Sequence, residues 1–84
     1  MKEELLLELI NVLSQIEKDN TIPKSVRSKV KIVCNALGDN CQSIEVRIDK
    51  SLQELDDVGN DPNVPIYAKT QVWNVVSQLE SIQL

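Results

Sequence analysis

Shifted by 42 residues, this 84-residue chain falls onto itself. Seven positions become identical: Glu3 on Glu45, Leu13 on Leu55, Asp19 on Asp61, Pro23 on Pro65, Val30 on Val72, Val33 on Val75, and Leu37 on Leu79. Similar residues fill the gaps, with Leu6 on Ile48, Ile10 on Leu52, Ile16 on Val58, Ile22 on Val64, Val26 on Ala68 and Arg27 on Lys69. Within each unit the apolar residues keep a helical period. They fall at 5, 6, 9, 10, 12, 13 and 16; at 26, 30, 33, 34 and 37; at 44, 48, 52, 55 and 58; and at 68, 72, 75, 76 and 79. No stretch alternates with the two-residue period of a strand. Turn formers gather only at 19–23, 38–40 and 59–65, so each unit reads as a helix, a turn and a second helix. The spacing predicts an all-α chain of two helical hairpins, units 1–42 and 43–84. Stacked arrays need several such units to bury a continuous core, so two are expected to close on each other as one four-helix bundle.

That length holds one small domain. Apolar residues make up 42% and charged residues 26% of the chain, which suits a soluble globular fold. The opening Met-Lys-Glu-Glu leads into only three leucines before Glu8, too short an apolar run for a signal h-region or a membrane span. A cytoplasmic protein is therefore expected. Cys34 and Cys41 have neither Cys-x-x-Cys spacing nor histidine company, and are expected as reduced thiols, one buried and one near a loop. A disulfide would require a sharp turn at Gly38 and an oxidising compartment.

In the proline turns, Pro23 and Pro65 occupy positions where a first helical turn tolerates a missing N–H. Asp19 and Asp61, just upstream, are candidate caps or turn formers. A unit of this size has the length of one HEAT-type repeat, and Asp19 with Arg27 and Asp61 with Lys69 resemble the Asp and Arg ladder of those repeats. The resemblance implies a structural tie between a turn and its following helix. The chain as a whole resembles the small archaeal proteins of uncharacterised protein family 0147. The residues that carry the likeness are Asn60-Asp61-Pro62-Asn63-Val64-Pro65 and Val72-Trp73-Asn74-Val75-Val76-Ser77-Gln78-Leu79-Glu80, with Thr21-Ile22-Pro23-Lys24-Ser25-Val26-Arg27 as a weaker N-terminal counterpart. It implies an all-helical fold and assigns no biochemical role.

Histidine is absent, which removes the commonest general base and the commonest metal ligand. The densest acidic run, Glu54, Asp56, Asp57 and Asp61, lacks the calcium-loop spacing, because Gly59 and Ala68 stand where the third and twelfth ligands belong. It reads as a solvated helix face, with a metal-dependent enzyme as the remote alternative. Ser28-Lys29-Val30-Lys31 matches a Ser-x-x-Lys pattern by chance, with none of the companion motifs of acyl-transfer enzymes. Nothing implies a cofactor or a small-molecule substrate, and an enzyme is not expected.

Two surfaces remain. Lys24, Arg27 and Lys31 form a basic stripe on helix two. A net charge of −4 and the lack of interleaved aromatics make nucleic acid a secondary partner class for it. In the repeat alignment the same slots of unit two hold Ile66, Lys69 and Trp73. Tryptophan is enriched at binding hot spots, and Trp73 lies roughly 140° from Ala68 on a helical wheel. Helix one spreads its apolar residues over about 160°, with Leu7 outside even that arc, whereas about 100° suffices for one-sided packing. Leu7, Ile66, Lys69 and Trp73 are therefore the candidate interaction surface, the alternative being that Leu7 or Trp73 covers the bundle seam within the monomer. The expected partner is a helical protein or a second copy, such as a homodimer.

Overall fold

Turn residues punctuate the chain and the 3.6-residue period fills the intervals, so the helices begin and end close to the predicted breaks. In the computed structural model, which describes residues 2–82, α1 spans Lys2–Glu17, α2 Lys24–Leu37, α3 Ile44–Gly59 and α4 Ile66–Ser81. The middle break is longer than predicted. It runs through residue 43, because Ser43 serves as the N-cap of α3 and its hydroxyl accepts the Val46 N–H at 3.3 Å.

Short connections make chain neighbours antiparallel. The helices form a ring in which each packs against the next, and α4 returns to α1 through the smallest of the four interfaces. Among the described residues, the inner faces of the helices and the turn residues Ile22 and Val64 share one core of 18 buried apolar residues. Leu13, Val30, Val33, Leu55, Val72 and Val75 lie at its centre, none more than 1% exposed.

All three turns have one design, and it corrects the expected capping. Pro23 and Pro65 are themselves the N-cap residues of α2 and α4, and no side chain caps either helix. The aspartates act two residues away instead. The Asp19, Asp39 and Asp61 carboxylates accept the N–H of Thr21, Cys41 and Asn63 at 2.9, 3.0 and 2.8 Å. Their own carbonyls accept Ile22, Gln42 and Val64 N–H at 3.2, 3.1 and 3.2 Å. These are Asx turns, in which a carboxylate substitutes for a backbone acceptor.

The ladder between Asp19 and Arg27 takes another form as well. Arg27 Nε donates to the Ile22 carbonyl at 3.0 Å, and Arg47 Nε donates to the Gln42 carbonyl at 3.0 Å. Each arginine thus ties a turn to its following helix through a main-chain oxygen.

The inner face of α3 also departs from the apolar stripe. Ile44 and Leu52 are half-buried, while Arg47 and Ser51 are 5% and 0% exposed. Arg47 Nη1 donates to Glu3 Oε1 and Oε2 at 3.0 and 3.2 Å and to the Leu37 carbonyl at 3.5 Å. Ser51 Oγ donates to the Arg47 carbonyl at 2.7 Å. With these partners the guanidinium and the hydroxyl can be buried at little cost.

Candidate functional site

An open groove lies on the flank of each hairpin. The larger, about 280 Å³, lies between α3 and α4. Leu52, Trp73 and Val76 form its apolar part, and Asp49, Gln53, Asp56 and Glu80 its polar part. The indole of Trp73 lies directly over Gly59. A Cβ at that position would stand 2.5 to 2.9 Å from the ring, so only glycine permits this close approach. Trp73 remains 40% exposed, so the indole covers Gly59 at the end of α3 while part of it meets solvent.

The smaller groove, about 190 Å³, lies along α2 and is lined by Glu17, Lys24, Arg27, Ser28 and Lys31. The three basic residues of the predicted stripe thus share one recess. Lys31 here and Trp73 in the other groove are repeat equivalents, so the molecule presents two related flanks of opposite charge.

The structure separates residues that were expected to form one surface. Leu7 is the repeat equivalent of Asp49 and lies one turn before Ile10 and two before Ser14, both of which contact Cys34 of α2. Cys34 Sγ of α2 approaches the Ile10 carbonyl at 4.0 Å and is also bonded by Ser14. Leu7, 61% exposed, therefore belongs to the α1–α2 flank, and Trp73 belongs to the α3–α4 flank. Ile66 is 83% exposed, and Lys69 is half-buried. Both precede Trp73 on α4, outside the groove lining. The small α1–α4 interface covers neither Leu7 nor Trp73.

Two contacts were not anticipated. Tyr67 donates its hydroxyl to Asp19 Oδ2 and lies 3.1 Å from the Thr21 hydroxyl, linking the start of α4 to the first turn. Thr21 also donates its hydroxyl to Asp19 Oδ1 at 2.6 Å. These bonds, that of the Thr21 hydroxyl foremost and that of Tyr67 next, hold the Asp19 carboxyl below its ordinary value of 3.8; the charge of Arg27 contributes least. The second contact is the Glu3–Arg47 pair, which joins the starts of α1 and α3. Its repeat slots hold Glu45 and Leu5, so the repeat gave no signal for it.

Cys34 is half-buried rather than buried, and Cys41 is exposed; both are free. Burial is the main influence that pushes the Cys34 thiol above its usual value, so it stays protonated and unreactive near neutral pH. Among the described residues, no group of three or more Cys, Asp or Glu is placed to hold a metal ion. No helix among them is long and apolar enough to cross a membrane.

The fold defines a small antiparallel four-helix bundle, and each of its hairpins carries an open groove. By sequence, the chain belongs to the uncharacterised protein family UPF0147, which it matches over residues 1–82. A UPF0147 protein of Methanosarcina mazei is 33% identical over 79 residues, covering 94% of this chain and 85% of that one. One of Archaeoglobus fulgidus is 30% identical over 84 residues, covering 100% and 95%. The crystal structure of MMP1188, a protein of unknown function, superposes with a TM-score of 0.89 at 38% identity, covering 95% of this chain and 91% of that chain.

Proposed function

We propose that this protein is a non-enzymatic interaction module of the cytoplasm that binds another protein through its helix faces. The observation that carries this reading is the exposure of large apolar side chains on helices whose inner faces are already filled. Ile66, Leu7, Tyr67 and Trp73 are 83%, 61%, 50% and 40% exposed. Trp73 also sits in an open groove beside Leu52 and Val76, the setting in which an aromatic side chain acts as an anchor. The chemistry within reach supports the same reading. The sequence has no histidine, and the more buried of its two thiols is held protonated.

The test is affinity capture from the native cell extract with mass spectrometry, using the parent chain and Trp73→Glu side by side, each checked for helical content. A protein recovered by the parent and lost with Trp73→Glu supports the reading. Recovery of nothing beyond the bare matrix overturns it.

The basic recess offers a second reading, as a site for nucleic acid, since Lys24, Arg27 and Lys31 converge on it. Glu17 in the same lining and the net charge of −4 oppose a polyanion there. A shift of labelled RNA that vanishes with added salt and with Lys31→Glu would favour this second use.

A further inference from the structure

We propose that the acidic groove between α3 and α4 receives the basic α1–α2 flank of a second copy of this chain, so that copies add head to tail. The inference rests on the protein-interaction reading above and names the partner. Charge complementarity within the molecule carries it. The groove lining contains three carboxylates, Asp49, Asp56 and Glu80, and no cation. The recess lining contains three cations, Lys24, Arg27 and Lys31, against one carboxylate.

The spacing matches as well. Lys24 and Lys31 are seven residues apart on α2, and Asp49 and Asp56 are seven apart on α3. Both pairs are therefore separated by about 10.5 Å along their helix axes. All four residues are exposed. Leu7, exposed on the basic flank, supplies an apolar side chain to face Leu52, Trp73 and Val76. Because the repeat places the two flanks on different hairpins, one copy can hold a neighbour on each side. The contact is heterologous, so it yields rings or open chains rather than an isologous pair.

Sedimentation velocity of the full chain from micromolar to near-millimolar concentration, at low and at high salt, reads the association. The expected result is a mean mass that rises beyond two chains at low salt and falls toward one chain at high salt, because the contact is between exposed charges. Lys31→Glu spoils only the basic flank and Asp56→Lys only the groove, so each variant alone should sediment as a single chain. An equimolar mixture of the two joins the intact flank of one to the intact groove of the other, and should regain association to at least a pair. Lys24→Glu and Asp49→Lys repeat the experiment if either first variant loses its helical signal. A parent that stays at one chain mass throughout, variants that associate as the parent does, or a mixture that stays at one chain mass would each overturn the proposal. A monomeric parent that still captures an outside protein through Trp73 would leave the broader interaction reading standing.

Discussion

The two hairpins agree through most of the interior and disagree along their flanks. Leu13 and Leu55, Val30 and Val72, Val33 and Val75, and Leu37 and Leu79 are identical across the repeat, and all eight are buried. On the flanks Lys24, Arg27 and Lys31 of one hairpin become Ile66, Lys69 and Trp73 of the other, and Leu7 becomes Asp49. A close-packed interior penalises a change of even one methylene, whereas an exposed position accepts almost any side chain. The repeat is thus a record of the core, and the differences on the flanks mark where the molecule was free to specialise.

The largest expected effect tests the agreement. Leu13→Ala and Leu55→Ala should each cost about 2 to 5 kcal/mol, a large share of the roughly 4 to 13 kcal/mol expected for a domain of this size. The two should match in chemical denaturation. A large gap between them would show that the hairpins do not share the core equally.

A smaller effect tests an internal disagreement, since Arg47 and Ser51 stand where the first hairpin has Leu5 and Leu9. Arg47→Ala leaves the Gln42 and Leu37 carbonyls without their guanidinium partner, and should cost about 1 to 3 kcal/mol. Glu3→Gln should cost less, because Glu3 is more than half exposed and exposed ion pairs contribute little. Equal losses would mean that the ion pair, rather than the main-chain bonds, holds Arg47 in place.

The proline turns sharpen the comparison further. Asp19→Ala removes the Thr21 and Tyr67 bonds, whereas Asp61→Ala removes the bond to Asn63 N–H, so Asp19→Ala should melt at the lower temperature near neutral pH. Asp19 has a lowered pKa in the folded state. The stability it contributes is therefore present above its ordinary value of 3.8 and is lost as the pH falls through the lowered folded value. Melting curves of the parent and Asp19→Asn should converge on acidification through that window. Curves that stay a constant distance apart would assign the effect to something other than the carboxylate charge.

The smallest expected change in stability is at Gly59. Alanine is a better helix former by up to about 1 kcal/mol, but its methyl would stand within 3 Å of the Trp73 ring and must push the half-exposed indole outward. The opposing effects should leave the melting temperature nearly unchanged while the Trp73 fluorescence shifts to the red. An unshifted spectrum would show that the indole does not rest on Gly59.

The sequence carried the four helices plainly, because burial along one side of a helix writes a 3.6-residue period into residue identity. It carried the turns less completely. Asp39 begins a turn of the same design as Asp19 and Asp61, but the three aspartates are spaced by 20 and then 22 residues. A single sliding offset therefore registers only the whole hairpin and passes over the middle turn. Arg47 was hidden for a different reason. A polar residue on the buried face breaks an apolar stripe, and the carbonyls and carboxylate that satisfy it come from Gln42, Leu37 and Glu3, which only folding brings together.

The candidate surfaces divide along the same line. That Leu7 and Trp73 lie outside the apolar stripes follows from helical geometry alone, and both are exposed. Which flank each belongs to depends on which helix packs against which side of α1 and α4, a matter of the ring order of the bundle. The bond from Tyr67 to Asp19 spans 48 residues and has no repeat counterpart, so only the tertiary fold discloses it. By itself, then, the chain determined its helices, its proline turns and most of its core, because each depends on local spacing and on the exclusion of apolar side chains from water. The tertiary structure decided the partners of Arg47 and Tyr67, the seat of the indole on Gly59 and the opposite charge of the two grooves, because each is a relation between helices that no single stretch of sequence contains.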